Sequence, residues 1–195
     1  AGEGYDVVNS SISYTLGANV EELCMTGGGT GTGNALNNQM IGLYAYSGSY
    51  VLPVILAGGL GDDTYWGNVS AVVENVNAGI DTVHASGGHT LAANVENLVL
   101  HRNPNSYSPT GGHGNALDNV LDGTQDEVIS NLYGKTGNDT YLLREGDIAI
   151  ESANEGVDTV IGTAFAQGDL RFPTTWKTSR SPWVTTRLAT HSIIH

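Results

Sequence analysis

Apolar residues in this chain come in short, alternating sets, such as Val95, Leu98 and Leu100, or Val120 with Val128 and Ile129. Asn and Gly interrupt them every few residues. No stretch carries a sustained 3.6-residue period. The pattern predicts many short β-strands joined by tight turns, and no long helix.

The same phrases then return. Gly4-Tyr5-Asp6-Val7-Val8 recurs as Gly79-Ile80-Asp81-Thr82-Val83 and, at a nearly equal step, as Gly156-Val157-Asp158-Thr159-Val160. Thr15-Leu16-Gly17-Ala18-Asn19-Val20-Glu21 recurs at the same step as Thr90-Leu91-Ala92-Ala93-Asn94-Val95-Glu96. Val73-Glu74 through Gly79 recurs as Ile150-Glu151 through Gly156. A fixed period signals repeat architecture. A lone coil cannot bury its apolar face, whereas stacked coils can. The expected fold is therefore all-β, a right-handed parallel β-roll or β-helix-like solenoid with short strands and Gly, Asn and Asp turns. Residues 1–78 form the first unit, cut in mid-repeat, 79–155 the second, and 156–170 the start of a third.

Three segments break the pattern. Residues 42–56, Gly42 to Leu56, are rich in Tyr and read as an insertion. His101 to Thr110 contains two prolines and reads as a protruding loop. Residues 171–195 lack Asp, Glu and Gly, yet hold four of the seven basic residues and two of the three Trp. Back-translated and read two bases on, this tail permits Asp-Asn-Val-Glu-Asn-Leu near Pro173 to Ser179, and Asn-Ala-Leu-Asp-Asn across Ala189 to Ile194. It is expected to be the third repeat read out of frame, which sequencing of the encoding DNA would test.

Charge narrows the function. Twenty acidic residues against seven basic ones give a formal charge of −13. That argues against nucleic acid and anionic membrane surfaces as partners and suits a chain that collects cations. There is no apolar run of about 18 residues to span a membrane. Cys24 is the only cysteine and reads as a buried small hydrophobe. No signal peptide is evident at Ala1, and the chain reads as a fragment of something larger.

Candidate chemistry centres on the turn Gly58-Gly59-Leu60-Gly61-Asp62-Asp63-Thr64-Tyr65 and its counterpart one repeat on, Gly134-Lys135-Thr136-Gly137-Asn138-Asp139-Thr140-Tyr141. A carboxylate in a glycine-rich turn, with backbone carbonyls beside it, suits a hard cation that takes oxygen ligands. The same residues can instead make Asx-turns. Other chemistries find less support. His84, His89, His101 and His113 lack a helical metal-site spacing, and no Cys pair accompanies them. There is no G-x-S-x-G. Glu21-Glu22 and Asp62-Asp63 recur with the repeat, which favours a structural role over glycoside cleavage.

These turns resemble the RTX family, the hemolysin-type calcium-binding repeats of bacterial type I-secreted proteins. The family nonapeptide is G-G-x-G-x-D-x-U-x, with U large and apolar. Gly58 to Tyr65 matches it through eight positions. Gly134 to Tyr141 matches except that Lys135 replaces the second glycine. In the turns Gly33 to Met40 and Gly114 to Leu121, Leu36 and Leu117 replace a glycine and Asn38 and Asn119 replace the aspartate. The resemblance covers roughly residues 3–170. It implies Ca2+ as the bound ion, with ligands from Asp63, Asp139 and neighbouring turn carbonyls, those of Gly59, Gly61 and Gly137 among them. Asp62, Asn138, Asp118, Asp122 and Asp126 are secondary candidates. Because the complete turns are few, roughly one to three ions are expected rather than a full row.

Three functions follow as expectations. The first is a non-catalytic extracellular calcium-binding module, secreted from a bacterium by the type I route and stabilised on reaching calcium. The second is an adhesin or surface-layer repeat whose Tyr44, Tyr46 and Tyr50 contact a cell-surface glycan or protein. The third is the C-terminal part of a secreted hydrolase whose catalytic domain lies elsewhere.

Overall fold

The computed structural model describes residues 4–47, 49–67, 70–105 and 108–163. The tail 171–195, with its out-of-frame reading, lies outside the described residues, as does 164–170. The described residues contain strands and turns and no helix, so none could cross a membrane as one. The chain divides into two compact units. The first runs to Ala85 and includes Ala92–Val95, and the second takes Ser86–Leu91 and the residues from Glu96 onward.

Each unit is a parallel β-solenoid. In the first, one sheet stacks β1 (Val7–Ser10), β3 (Glu22–Met25), β5 (Gln39–Gly42), β9 (Thr64–Gly67) and β11 (Thr82–Ser86) in that order. A second sheet stacks β2 (Tyr14–Thr15), β4 (Gly29–Thr32), β8 (Val54–Ala57) and β10 (Ala71–Val73). The remaining pair, β6 (Ala45–Ser47) and β7 (Tyr50–Leu52), is an antiparallel hairpin outside both sheets. The Tyr-rich stretch is thus only partly an insertion, because its Val54-Ile55-Leu56 end supplies a coil strand with Val54 and Leu56 fully buried.

The second unit repeats the plan. One sheet stacks β13 (Asn97–His101), β15 (Val120–Asp122), β17 (Thr140–Arg144) and β19 (Thr159–Thr163). The other stacks β12 (His89–Thr90), β14 (Thr110–His113), β16 (Ser130–Tyr133) and β18 (Ile148–Ile150).

Alternation along each strand points every second side chain inward, so the two inner faces meet in a narrow core. In the first unit Leu23, Met40 and Tyr65 stack in register from coil to coil, and in the second Leu98, Leu121 and Tyr141 do the same. The asparagines that punctuate the repeat have a stereochemical cause. Asn19, Asn77, Asn94 and Asn154 all sit at φ between 58° and 71°, the left-handed region that Asn tolerates better than other residues with a Cβ.

Register also explains the long period. In the first unit the residues leading into the aligned strands of the larger sheet are Asp6, Glu21, Asn38, Asp63 and Asp81. In the second they are Glu96, Asn119, Asp139 and Asp158. Both follow one order, Asp, Glu, Asn, Asp, and then begin again. On the facing sheet the aligned positions read Leu16, Gly33, Gly58, Glu74 and then Leu91, Gly114, Gly134, Glu151. One sequence repeat is therefore four coils, and only the fourth carries both an Asp and a Glu at this inner corner.

Candidate metal centres

The alternation that fills the core also aims the acids. In the turn leading into β9, Asp62 points out and is exposed, Asp63 points in, Thr64 points out and Tyr65 points in. Asp63 is 1% exposed. Glu74 follows β10 on the same inward face as Val72, and Asp81 precedes β11 on the same face as Val83. The three carboxylates converge: one oxygen from each of Asp63, Glu74 and Asp81 lies within 4.8 Å of the others. Asp139, Glu151 and Asp158 form the same cluster in the second unit, with Asp158 less buried than its counterpart Asp81.

Hydrogen bonds fix the orientation. Asp63 Oδ1 accepts from the Asn38 amide (2.6 Å), and Asp81 Oδ1 accepts from the Asp63 amide (2.8 Å). In the second unit Asp139 Oδ1 accepts from Asn119 N–H (2.7 Å) and Asp158 Oδ1 from Asp139 N–H (3.0 Å). The Tyr65 hydroxyl donates to Glu74 Oε1, and the Tyr141 hydroxyl to Glu151 Oε1. These bonds use one oxygen of each aspartate. Asp63 Oδ2, Glu74 Oε2 and Asp139 Oδ2 are buried and receive no hydrogen bond. A buried acceptor without a donor is costly, and a buried charge without a counter-charge more so.

Glycine makes the space. A Cβ on Gly58 would run into Asp63 Oδ2, Tyr65 Oη and Glu74 Oε1, and one on Gly134 would meet Asp139, Tyr141 and Glu151 in the same way. Only a bare Cα fits against the cluster.

The electrostatics agree. Burial, with the neighbouring charges of Asp81, Glu74 and Asp62, pushes the Asp63 carboxyl up to about 7 against the pull of the Asn38 amide. Burial with Asp158, Asp118 and Glu155 pushes Asp139 up to about 6. Burial with Asp158 and Asp139 pushes Glu151 up to about 8, and burial also raises Asp158. No cationic side chain is among the influences on these groups. Lys135 turns its ammonium to the Gly114 carbonyl (2.5 Å), and Arg102 pairs with Glu127 at the surface. The clusters have the all-oxygen chemistry and the missing positive charge that a hard metal ion would supply.

Two other corners show how the fold satisfies a polar group here without an ion. At Asn38 the side-chain amide donates to the Val20 and Glu21 carbonyls, and at Asn119 it donates to the Glu96 carbonyl. The asparagines that depart from the nonapeptide thus put a neutral, self-satisfied amide where the clusters have a carboxylate.

Of the residues expected to bind, Asp63 and Asp139 enter the clusters. Asp62 in the first unit, and Asp118 and Asn138 in the second, are exposed and pair with backbone amides instead. Asp62 accepts from the Ile80 amide (2.8 Å), Asp118 from Asn138 N–H (2.6 Å) and Asn138 from Val157 N–H (3.0 Å). Asp122 closes an Asx-turn on Thr124. Asp126 is fully buried and accepts from Thr110, Ser130 and the Val128 amide. None of these five joins either cluster. Gly59, Gly61 and Gly137 take positive φ and press on the backbone of the preceding coil at Asn34, Leu36 and Leu117. The sequence alone did not single out Glu74, Asp81, Glu151 and Asp158, which complete the two clusters. Their signal was present, since Glu151 and Asp158 repeat Glu74 and Asp81 at one common step, inside phrases read only as marks of the repeat.

Comparison of the chain with family models, curated proteins and solved structures returns no match. The class stands on the molecule itself: a parallel β-solenoid with an inward carboxylate cluster on every fourth coil.

Proposed function

We propose that this is a non-catalytic calcium-binding solenoid module whose two carboxylate clusters are its ion sites. The observation that carries the reading is the buried Asp63 Oδ2, which has no hydrogen-bond donor although its carboxyl converges with Glu74 and Asp81, with no cationic side chain among the charges that act on it. Two oxygens on opposite sides of a calcium ion are about 4.6–5.2 Å apart, a span that accommodates ligand atoms lying within 4.8 Å of one another. Asp63, Glu74 and Asp81 would hold one ion, and Asp139, Glu151 and Asp158 the other. The bound ion would supply positive charge and nothing reactive. Binding to the folded chain alone then stabilises it by mass action. With the resemblance to secreted repeats, this favours an extracellular module exported by the type I route as a self-repelling acidic chain and consolidated where calcium is millimolar.

The test is calorimetric titration of the chelator-stripped protein with calcium, alongside thermal melts. Heat of binding and a higher Tm, both reduced in Asp63→Ala and Asp139→Ala, are expected. A chain that neither takes up heat nor gains stability would overturn the reading.

One observation favours a second role. The hairpin β6–β7 stands outside both sheets, with Tyr44 just ahead of it at 65% exposure and Tyr50, the first residue of β7, at 80%. A glycan or protein partner could engage there. Binding on a glycan array that disappears in the Tyr44→Ala/Tyr50→Ala double variant is the result this role requires.

A further inference from the structure

We propose that in each unit the coils ahead of the carboxylate cluster form a group that holds together without metal, and that the cation is the bond at the seam between that group and the coil after it, β11 in the first unit and β19 in the second. The inference rests on the cation reading above and says where along the solenoid the ion acts.

The argument is the four-coil order of the corner residues. Within a group, coil-to-coil contacts at this corner are closed by hydrogen bonds. The Glu21 and Glu22 amides reach the Asp6 carbonyl (3.3 and 3.1 Å), the Asn38 side chain reaches Val20 and Glu21, and the Asn38 amide reaches Asp63 Oδ1. In the second unit Asn119 bridges to Glu96 on one side and to Asp139 on the other. Facing these corners are glycines or leucines, which add no charge.

At the seam the same amide-to-carboxylate bond recurs, from Asp63 N–H to Asp81 Oδ1 (2.8 Å) and from Asp139 N–H to Asp158 Oδ1 (3.0 Å), but three carboxylates now share the corner. Between β9–β10 and β11, Asp63 meets Asp81 with Glu74 between them. Between β17–β18 and β19, Asp139 meets Asp158 beside Glu151. Each cluster draws two acids from one coil and the third from the next. Ionised and without a cation, the acids push these coils apart. With a cation they are ligands to a common centre. The backbone is close at the same place, since the Thr82 amide bonds to the Asp63 carbonyl (2.9 Å) and the Thr159 amide to the Asp139 carbonyl (2.8 Å). Loss of the ion should therefore loosen β11 and β19 and leave the coils ahead of each seam closed.

Peptide-resolved hydrogen–deuterium exchange on the whole chain, in chelator and in calcium at pH 8, tests this. In chelator, amides of β11 and β19 should exchange on the order of tenfold faster or more, while β3, β5 and β15 change little. Faster exchange spread evenly over all coils would overturn the grouping and leave the cation reading standing. Binding heat without any local difference in exchange would do the same. Absence of both heat and exchange differences would remove the two together. Asp81→Asn keeps the acceptor for the Asp63 amide and deletes one charge of the first seam. In this variant β11 should stay protected in chelator while β19 remains calcium-dependent, and a β11 that still opens refutes the proposal.

Discussion

Replacing Asp63 with Asn should stabilise the metal-free protein, an unusual expectation for a change at a buried, fully packed position. The amide keeps Oδ1 as acceptor for the Asn38 N–H, as the carboxylate does now at 2.6 Å. Its NH2 would replace Oδ2, which faces Glu74 and the Tyr65 hydroxyl without a donor. The Asn38 side chain already uses its amide in this way one coil earlier. The magnitude follows from the carboxyl's displacement from an ordinary 3.8 to about 7. Each pH unit of displacement is worth about 1.4 kcal/mol, so an ionised Asp63 destabilises the metal-free fold by about 2–4 kcal/mol. The sign is set by the proton. The folded chain holds it up to about pH 7 and the unfolded chain only to about pH 4, so stability present below pH 4 is lost as pH rises through 7. Asp139 and Glu151 act in the same direction, up to about 6 and 8. Urea unfolding in chelator at pH 5 and pH 8, and again in millimolar calcium, measures this. Asp63→Asn should exceed the parent in chelator at pH 8, match it more closely at pH 5, and gain less from calcium. A variant less stable than the parent in chelator at pH 8 would refute the electrostatic argument.

Three further outcomes are expected. Gly58→Ala places a methyl against Asp63, Tyr65 and Glu74, so it should cost about 1–3 kcal/mol and abolish the calcium response of the first unit, read by the same melts. Tyr141→Phe removes both a donor to Glu151 and the acceptor for the Gly134 amide (2.7 Å); about 1–3 kcal/mol should be lost in chelator by urea unfolding. Asn94→Ala forces alanine into φ 63° and removes the bond from Nδ2 to the Glu74 carbonyl (2.9 Å); it should cost about 1–2 kcal/mol, whereas Asn94→Gly should recover part of that loss.

Much of this molecule was legible in its sequence. Short alternating apolar sets gave strands, because a two-residue period is a local property of an extended chain. Recurrence of Gly-x-Asp and Asn-Val-Glu phrases gave a solenoid, because only stacked coils reward identical corners. Asp63 and Asp139 stood out because glycine-rich turns place a carboxylate beside a bare backbone. The tertiary structure decided the rest. Glu74 and Asp81 follow Asp63 in separate segments of the chain, and their meeting depends on how much chain each coil takes to return to the same corner. The same register separates Asp62 from Asp63, one to solvent and the other to the core, and sends Asp118, Asp122 and Asp126 to hydrogen bonds away from either cluster. It also shows why the sequence period is so long: three corners are closed by hydrogen bonds, and the fourth gathers three acids around a place for positive charge.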